Sequence, residues 1–233
     1  MKIGILQAGH LSASMQEKYG DLDEVLSKML QGHGFEIDSY RVCDNQFPES
    51  VSQAQGWLVS GSVNSANDDL PWIWQLKDFI RQSYRHNIPL VGICFGHQVI
   101  ASALGGTVEK YSGGWGVGNH QYQMADSTFK PRIIAFHQDQ VIKKPAAAKC
   151  IGGSAFCENA FLVYGEQVFS MQPHPEFSTD YAKDLLADLS DRFTATQRAT
   201  TEKSFAQPID SAGLHRTIAN FFKTQKVVIT EEL

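Results

Sequence analysis

Short apolar runs alternate with amphipathic helical patterns along the chain as far as Leu104. Four of these runs predict strands, at Ile3–Leu6, Glu36–Val42, Gly56–Ser60 and Pro89–Cys94. Apolar residues at helical spacing follow Asp21 and Pro71 and recur over Gln98–Leu104. Near-continuous apolar strands joined by helices must be covered on both faces. The pattern therefore predicts an α/β fold with a mostly parallel sheet.

The pattern changes to short strands between Gly106 and Phe177, where no helix of ordinary length fits. The predicted strands of this β-rich part are Thr107–Tyr111, His120–Met124, Arg132–Phe136, Phe161–Tyr164 and Val168–Met171. Two helices follow, one capped by Ser178 and a last one carrying apolar residues from Leu214 to Phe222. The stretch Thr194–Pro208 between them is polar and weakly patterned, so it is predicted to be a loop.

The net charge and the cysteine content indicate which partners and which cell compartment to expect. The chain has 20 Lys and Arg against 25 Asp and Glu, a formal net charge of −5, so no basic field is available for nucleic acid or an anionic membrane. No apolar run has the length of a membrane span, and the start MKIGILQAGH lacks the apolar stretch of a signal peptide. The 4 cysteines include no C-x-x-C pair and do not suggest a disulfide scaffold, so a cytoplasmic protein is expected.

The segment Gly92–Gln98, with sequence GICFGHQ, lies where the fourth predicted strand runs directly into a helix. Two glycines flank Cys94, and small neighbours permit the sharp turn that holds a nucleophile out at the end of a strand. A helix N-terminus also favours the thiolate form of a cysteine. The pattern indicates a nucleophilic cysteine; a buried apolar cysteine in a tight turn is the alternative.

A second segment, Gln172–Phe177 with sequence QPHPEF, follows the predicted strand Val168–Met171. If the backbone stays extended, as the two prolines favour, His174 and Glu176 project to the same side. The carboxylate then orients the imidazole, which gives a distant thiol its base. A proline-rich turn with both side chains in solvent is the alternative. Taken with the cysteine turn, the segment predicts a catalytic set of Cys94, His174 and Glu176.

Thioester chemistry also needs N–H groups that stabilise a developing oxyanion. The residue after the nucleophile usually supplies one donor, which here is Phe95. A second donor must come from another loop at the same sheet edge. Ser60–Ser62 ends the third predicted strand, and Gly61 within it allows an unusual peptide orientation. An ordinary turn is the alternative at this segment.

With these residues on hand, the chain resembles the class I glutamine amidotransferases over about residues 1–190. GICFGHQ matches the family's G-x-C-x-G-x-Q motif at each fixed position, and PHPE matches its His-x-Glu segment. Phe136–Val141 is also similar to stand-alone domains like the glutaminase half of GMP synthetase. The resemblance implies a three-layer α/β/α, flavodoxin-like domain over residues 1–190 with a β-rich insertion. Residues 191–233 are then a C-terminal helical extension packed on the same domain.

The same resemblance implies a glutaminase reaction that needs no cofactor. Cys94 attacks the side-chain amide of glutamine, and His174 passes a proton to the departing ammonia. Glu176 holds His174, and water hydrolyses the glutamyl thioester.

The resemblance also assigns binding residues around the cysteine. Gln98 helps to bind the substrate, and the N–H groups of Ser62 and Phe95, next to Gly61, form the oxyanion hole. Family members often read Ser-Gly-Gly-Pro where this chain reads Ser-Gly-Ser-Val at 60–63. The segment Gly113–Gly118 lies where the family shapes its glutamine pocket, although a glycine-rich stretch is usually just a flexible connection.

Three functions remain open on the sequence. The leading expectation is a glutaminase that passes ammonia to a separate, unknown synthetase, because the residues after Glu176 are too few for an ATP-using domain. A free-standing hydrolase of γ-glutamyl peptides or amides is the alternative among enzymes. A non-catalytic regulatory module of the same fold is the alternative from another class.

Other residues receive a structural interpretation. His137 and Asp139 stand at alternate positions, but no Cys or carboxylate cluster completes a metal site, so no metal is expected there. They are expected to face solvent or the rim of the substrate site. The remaining cysteines and three tryptophans are expected to be packing or core residues: Cys43, Cys150, Cys157, Trp57, Trp72 and Trp74.

Overall fold

The computed structural model describes residues 1–125 and 127–229. Its strands are β1 (Lys2–Gln7), β2 (Glu36–Arg41), β3 (Gly56–Val59), β4 (Leu90–Ile93), β5 (Thr107–Lys110), β6 (Gly116–Gln121), β7 (Gln123–Met124), β8 (Arg132–His137), β9 (Asp139–Lys143), β10 (Lys149–Gly153), β11 (Phe161–Tyr164) and β12 (Val168–Met171). Its α-helices are α1 (Ala13–Tyr19), α2 (Leu22–Leu30), α3 (Pro71–Arg85), α4 (Phe95–Ala103), α5 (Thr179–Asp188), α6 (Ala195–Ser204) and α7 (Ser211–Thr224). Short 3-10 helices lie at Val42–Asp44, Val51–Gln53 and Ser190–Arg192.

The described strands build one large sheet in the order β2-β1-β3-β4-β12-β11-β10-β7. Strands β2, β1, β3, β4 and β12 are parallel to one another, and β11, β10 and β7 continue the sheet as antiparallel neighbours. The pairs β5–β9 and β6–β8 form two further small sheets. The predicted mostly parallel sheet with a β-rich insertion is confirmed.

Successive residues of the central strands face different helical layers. Trp57 and Val59 of β3 pack in the cluster that includes α3 and α4, whereas Leu58 packs with α2 and α7. Ile3 and Ile5 of β1 belong to the second cluster, and all five side chains are fully buried. This alternation places helices on both faces of the sheet, so the three-layer α/β/α architecture is confirmed.

Helix starts follow their capping residues. Asp21 caps α2, Ser178 caps α5 and Pro71 is the first residue of α3, so these helices begin where the sequence predicts. Glu24 completes a capping box with Asp21. Helix α4 begins at Phe95, earlier than the predicted Gln98, because the turn at the preceding cysteine already directs the chain into the helix.

The predicted loop at Thr194–Pro208 is wrong, because most of it is helix α6. The Thr194 hydroxyl accepts a hydrogen bond from the Gln197 N–H, and the Gln197 side chain accepts one from the Thr194 N–H. This capping box starts a helix in which Thr201 is the buried residue. A helix without an apolar stripe has no periodicity to detect, and the cap was its one sequence signal.

Some packing predictions also need correction. Trp57 and Trp72 are buried as expected, but Trp74 is 62% exposed and lies on the outer face of α3. The cysteines are packing residues as expected, because Cys157 is buried and the half-buried Cys43 and Cys150 pack against a core cluster. Helix α1 and strands β9 and β10 were not predicted, and the strand predicted at 120–124 is divided between β6 and β7.

In the described part of the chain, no helix has the length and apolar character of a membrane span.

Helix α7 covers the face of the sheet on which β1 and β3 meet. Its residues Leu214, Ile218 and Phe221 lie in the same buried cluster as the β1 isoleucines. A Cβ at Gly56 of β3 would lie 2.7 Å from a ring carbon of Phe222, so the helix contacts the strand directly. The division of the chain into 1–190 and 191–233 stays a prediction, and its last four positions lie outside the described residues.

Candidate active site

Cys94 lies between β4 and α4 in a backbone conformation that side chains rarely allow, with φ 53° and ψ −104°. The glycines beside it are required by close approach of the backbone. A Cβ at Gly96 would lie 2.2 Å from the Val59 carbonyl oxygen, and one at Gly92 would lie 2.6 Å from the backbone of Gly96. The Cys94 N–H donates to the Met171 carbonyl at 2.9 Å. These contacts hold the thiol at the carboxyl edge of the parallel strands.

His174 and Glu176 lie on the segment that follows β12, the strand next to β4. The imidazole Nδ1 is 2.7 Å from Oε1 of Glu176, and both side chains are almost completely buried. The His174 N–H donates to the Ile134 carbonyl of β8 at 2.8 Å. The imidazole also stacks on the ring of Phe177, with centroids 4.1 Å apart and planes 5° from parallel. The carboxylate and the ring together fix the orientation of the imidazole.

The fold brings this imidazole next to the Cys94 thiol. Burial disfavours the charged imidazole and by itself lowers the pKa of His174. The charge of the Glu176 carboxylate raises that pKa, and so do the charge of Cys94 and its side-chain hydrogen bond to the imidazole. A Cβ at Gly61 would lie 3.3 Å from Cε1 of His174 and 4.0 Å from Cβ of Cys94, so Gly61 borders both residues. Because the net shift is upward, the imidazolium form of His174 persists at neutral pH.

The loop after β3 borders Cys94 and His174 at Gly61. The Ser60 hydroxyl accepts from the Ala8 N–H and donates to the Gly61 carbonyl, each at 2.8 Å. In a trans peptide the N–H points opposite to the carbonyl, so the Ser62 N–H points away from Ser60. Within residues 1–125 and 127–229 no hydrogen bond uses the N–H of Ser62 or Phe95. Both N–H groups therefore lack a partner among the described residues, and Ser62 and Cys94 line the same cavity.

Gln98 lies one turn into α4 and is buried in the wall of the same cavity. Its amide nitrogen donates to the Asp139 carbonyl at 2.8 Å and to Oε1 of Gln172 at 3.1 Å. Because both amide hydrogens are engaged, the carbonyl oxygen is the part of Gln98 left for a ligand.

The thiol opens into a cavity of about 440 Å³, within the usual range of small-molecule sites. Trp115 lies in its wall, from the glycine-rich segment that the resemblance places at the pocket. The wall also contains side chains that the sequence analysis missed: Leu185, Leu189, Lys110 and Arg192. They come from the β-rich insertion, from α5 and from the turn after α5. No local motif marks them, because only the tertiary fold assembles them.

His137 and Asp139 are part of this cavity wall. His137 is buried, so it does not face solvent, and burial lowers its pKa to about 3, which keeps the ring neutral. Its Nδ1 lies 3.2 Å from the Asp139 carbonyl, while the Asp139 carboxylate accepts from the Ser65 hydroxyl. The glycine-rich segment before them contributes Trp115 to the wall and continues into β6 at Gly116.

Comparison with known proteins decides the family. The sequence model described as "Glutamine amidotransferase class-I" matches residues 16–190. The chain belongs to the class I glutamine amidotransferases. Membership in this enzyme family confirms the resemblance drawn from the two motifs and disfavours the non-catalytic module.

Relatives of this amidotransferase-family enzyme differ in their named activities. Gamma-glutamyl peptidase 4 of Arabidopsis thaliana is 33% identical over 90% of each chain. GMP synthase [glutamine-hydrolyzing] of Porphyromonas gingivalis is 26% identical over 70% of this chain, which matches 33% of that longer protein. The crystal structure of a glutamine amido transferase from Methylobacillus flagellatus superimposes with a TM-score of 0.76 at 17% identity, covering 100% of this chain and 96% of the other. That structure supports the flavodoxin-like fold.

Because the backbone at Cys94 is strained, we expect glycine to be more stabilising than alanine at this position, the reverse of the usual order in a helix. Cys94→Gly should have a larger free energy of unfolding than Cys94→Ala, by about 1 kcal/mol, because both lose the thiol but only glycine adopts this φ and ψ without strain. Urea denaturation measures the difference. At Ala103 of α4, where the backbone is helical, the glycine variant should instead lose about 1 kcal/mol. Equal or lower stability of Cys94→Gly would show that the turn is unstrained.

Proposed function

We propose that the protein is a cysteine hydrolase that cleaves the γ-glutamyl amide bond of γ-glutamyl peptides. One observation carries the proposal: a buried imidazole lies between a carboxylate at 2.7 Å and a thiol, at the base of an open cavity. This is the arrangement in which a thiol attacks an acyl group and an imidazole manages the proton.

The proposed reaction uses the chain's own groups in order. The Cys94 thiolate attacks the γ-carbonyl carbon, and the oxyanion that forms accepts hydrogen bonds from the Ser62 and Phe95 N–H groups. Imidazolium His174 then protonates the departing nitrogen, which breaks the amide bond and leaves a γ-glutamyl thioester. The neutral imidazole next takes a proton from water, and the hydroxide releases glutamate and regenerates the thiolate. Glu176 orients His174 and stabilises its charged form throughout.

The cavity supports a peptide rather than ammonia as the leaving group. Its volume of about 440 Å³ extends past the thiol to an apolar wall of Trp115, Leu185 and Leu189. Lys110 and Arg192 add positive charge along the same wall, suited to the carboxylates of a γ-glutamyl peptide. The named activity of the Arabidopsis relative, which aligns over 90% of both chains, agrees with this choice.

A second candidate is hydrolysis of glutamine with transfer of ammonia to a separate synthetase. The likeness to the Porphyromonas GMP synthase favours it, since the match covers 70% of this chain. The first steps are the same, and the difference lies in the leaving group and in the need for a partner protein.

A substrate panel with the purified protein alone tests the proposal. We expect release of glutamate from a γ-glutamyl dipeptide, slower release from glutamine, and none from the α-linked isomer of the same dipeptide. Turnover of glutamine that appears only when a synthetase is added would favour the second candidate. Absence of turnover of every γ-glutamyl compound, in folded protein with an intact thiol, would contradict both.

A further inference from the structure

A second cluster of reactive side chains lies at the carboxyl ends of β1 and β2, apart from Cys94. Gln7 pairs with Arg41 in these parallel strands, so the loops that leave them run side by side. His10 follows β1, and Cys43 and Asp44 belong to the 3-10 helix that directly follows β2. Their ligand atoms all lie within 4.8 Å of one another, and the described residues contain no other such group of three.

We propose that His10, Cys43 and Asp44 bind a zinc ion. The His10 Nε2 atom lies 3.5 Å from Sγ of Cys43 and 3.1 Å from Oδ2 of Asp44. Around tetrahedral zinc, with bonds of about 2.0–2.3 Å to nitrogen, oxygen and sulfur, neighbouring ligand atoms are about 3.3–3.6 Å apart. Both separations from His10 are close to these values, and the Cys43 sulfur and the Asp44 carboxylate lie within 4.8 Å of each other, so a shift of about 1 Å would enclose the ion. The fourth coordination position is left for water or a ligand.

Asp21 prepares the histidine for this role. Its Oδ2 lies 2.5 Å from Nδ1 of His10, so the opposite nitrogen, Nε2, is directed at the cluster. The carboxylate itself is fixed, since it caps α2 and accepts from the N–H groups of Leu11 and Leu22 at 3.0 and 2.9 Å. A carboxylate that holds the second ring nitrogen is the usual partner of a metal-binding histidine.

The ligand types select the ion. Thiolate and imidazole together favour zinc over magnesium or calcium, which prefer oxygen ligands. On binding, the Cys43 S–H bond gives its proton to solvent and the thiolate binds the metal; two anionic ligands and one neutral imidazole then balance the dication. Cys43 is a half-buried free cysteine, so its sulfur is available.

The site is distinct from Cys94, His174 and Glu176, but one of its ligands borders the same cavity. His10 is also part of the wall of the Cys94 cavity, so the ion would lie at the rim of that cavity. The inference rests on the cluster's geometry alone and holds whichever γ-glutamyl compound the enzyme cleaves.

Cobalt titration of the full-length Cys94→Ser protein tests the site without interference from the catalytic thiol. We expect one equivalent of Co²⁺ to give a thiolate charge-transfer band and the visible bands of a tetrahedral ion, and Zn²⁺ to displace it. Cys43→Ser should abolish the charge-transfer band. Cys150→Ser, at a half-buried free cysteine in β10, is the matched control and should leave it unchanged.

Calorimetric titration with Zn²⁺ adds the other ligands. His10→Gln and Asp44→Asn should each weaken binding at least tenfold, and Asp21→Asn should weaken it about 10- to 100-fold. Asparagine also caps helices well, so α2 keeps its start in that variant. Absence of a cobalt spectrum, or zinc binding that survives Cys43→Ser with unchanged affinity, would overturn the proposal.

Discussion

Cys94→Ser is expected to lower kcat for a γ-glutamyl dipeptide by about 10³-fold or more while the protein stays folded. A serine hydroxyl has nearly the shape of the thiol, but it is a far weaker nucleophile and forms no stable ion pair with His174. Loss of the nucleophile of a catalytic set costs about 10⁶-fold in a well-studied serine protease, so 10³ is a lower estimate. Steady-state kinetics, with circular dichroism to verify folding, measure the effect.

The other cysteines provide the control. Cys150→Ser and Cys157→Ser remove thiols that lie outside the catalytic cavity, and both variants should keep turnover near that of the natural protein. A diazoketone analogue of glutamine should label the natural protein and both control variants, but not Cys94→Ser. Turnover of Cys94→Ser within tenfold of the natural protein would contradict the proposed mechanism.

Glu176→Gln is expected to reduce kcat by about 10²- to 10⁴-fold with a much smaller change in KM. The uncharged amide still accepts a hydrogen bond from the imidazole, but it no longer stabilises the imidazolium, and loss of such a carboxylate costs up to about 10⁴-fold in the Ser-His-Asp case. The carboxylate raises the pKa of His174, so its removal lowers that pKa. The alkaline limb of kcat/KM, which reports loss of the imidazolium proton, should therefore move to lower pH.

This shift separates an electrostatic role from a structural one. Glu166→Gln removes a carboxylate from the exposed turn before β12 and should leave both the rate and the pH profile unchanged. A Glu176→Gln variant with reduced rate and an unmoved alkaline limb would mean that the carboxylate acts through packing instead.

The fold was predictable where local pattern and tertiary contact agree. The strands of the parallel sheet are continuous apolar runs because helices cover both faces, and the caps at Asp21 and Ser178 mark their helices directly. The prediction failed where burial does not follow periodicity. Helix α6 has almost no buried side chain, and Trp74 shares a helix with core residues but points outward.

The candidate site also contains some residues that could be predicted from the sequence and others that could not. Cys94 could be identified as a candidate because its turn requires glycine on both sides, and His174 and Glu176 because of their spacing after β12. The backbone at Pro175 and Glu176 is a turn, closed by a hydrogen bond from the Phe177 N–H to the His174 carbonyl, so the prediction of an extended segment is wrong. The residues that shape the cavity carry no comparable constraint. Lys110 and Arg192 line the same cavity only because the β-rich insertion and the 3-10 helix after α5 both border it. Substrate preference therefore depends on contacts between residues far apart in the chain, which cannot be predicted from a single sequence.

The packing of α7 against β1 and β3 limits where this enzyme can be truncated. The family match ends at residue 190, yet Leu214, Ile218 and Phe221 supply the cover for strands that begin near residue 3. A variant that ends at residue 190 would lack α7, and one face of the sheet that positions Cys94 would lose its cover. We therefore expect residues 1–190 alone to be less stable than the whole chain, although they include the full family match.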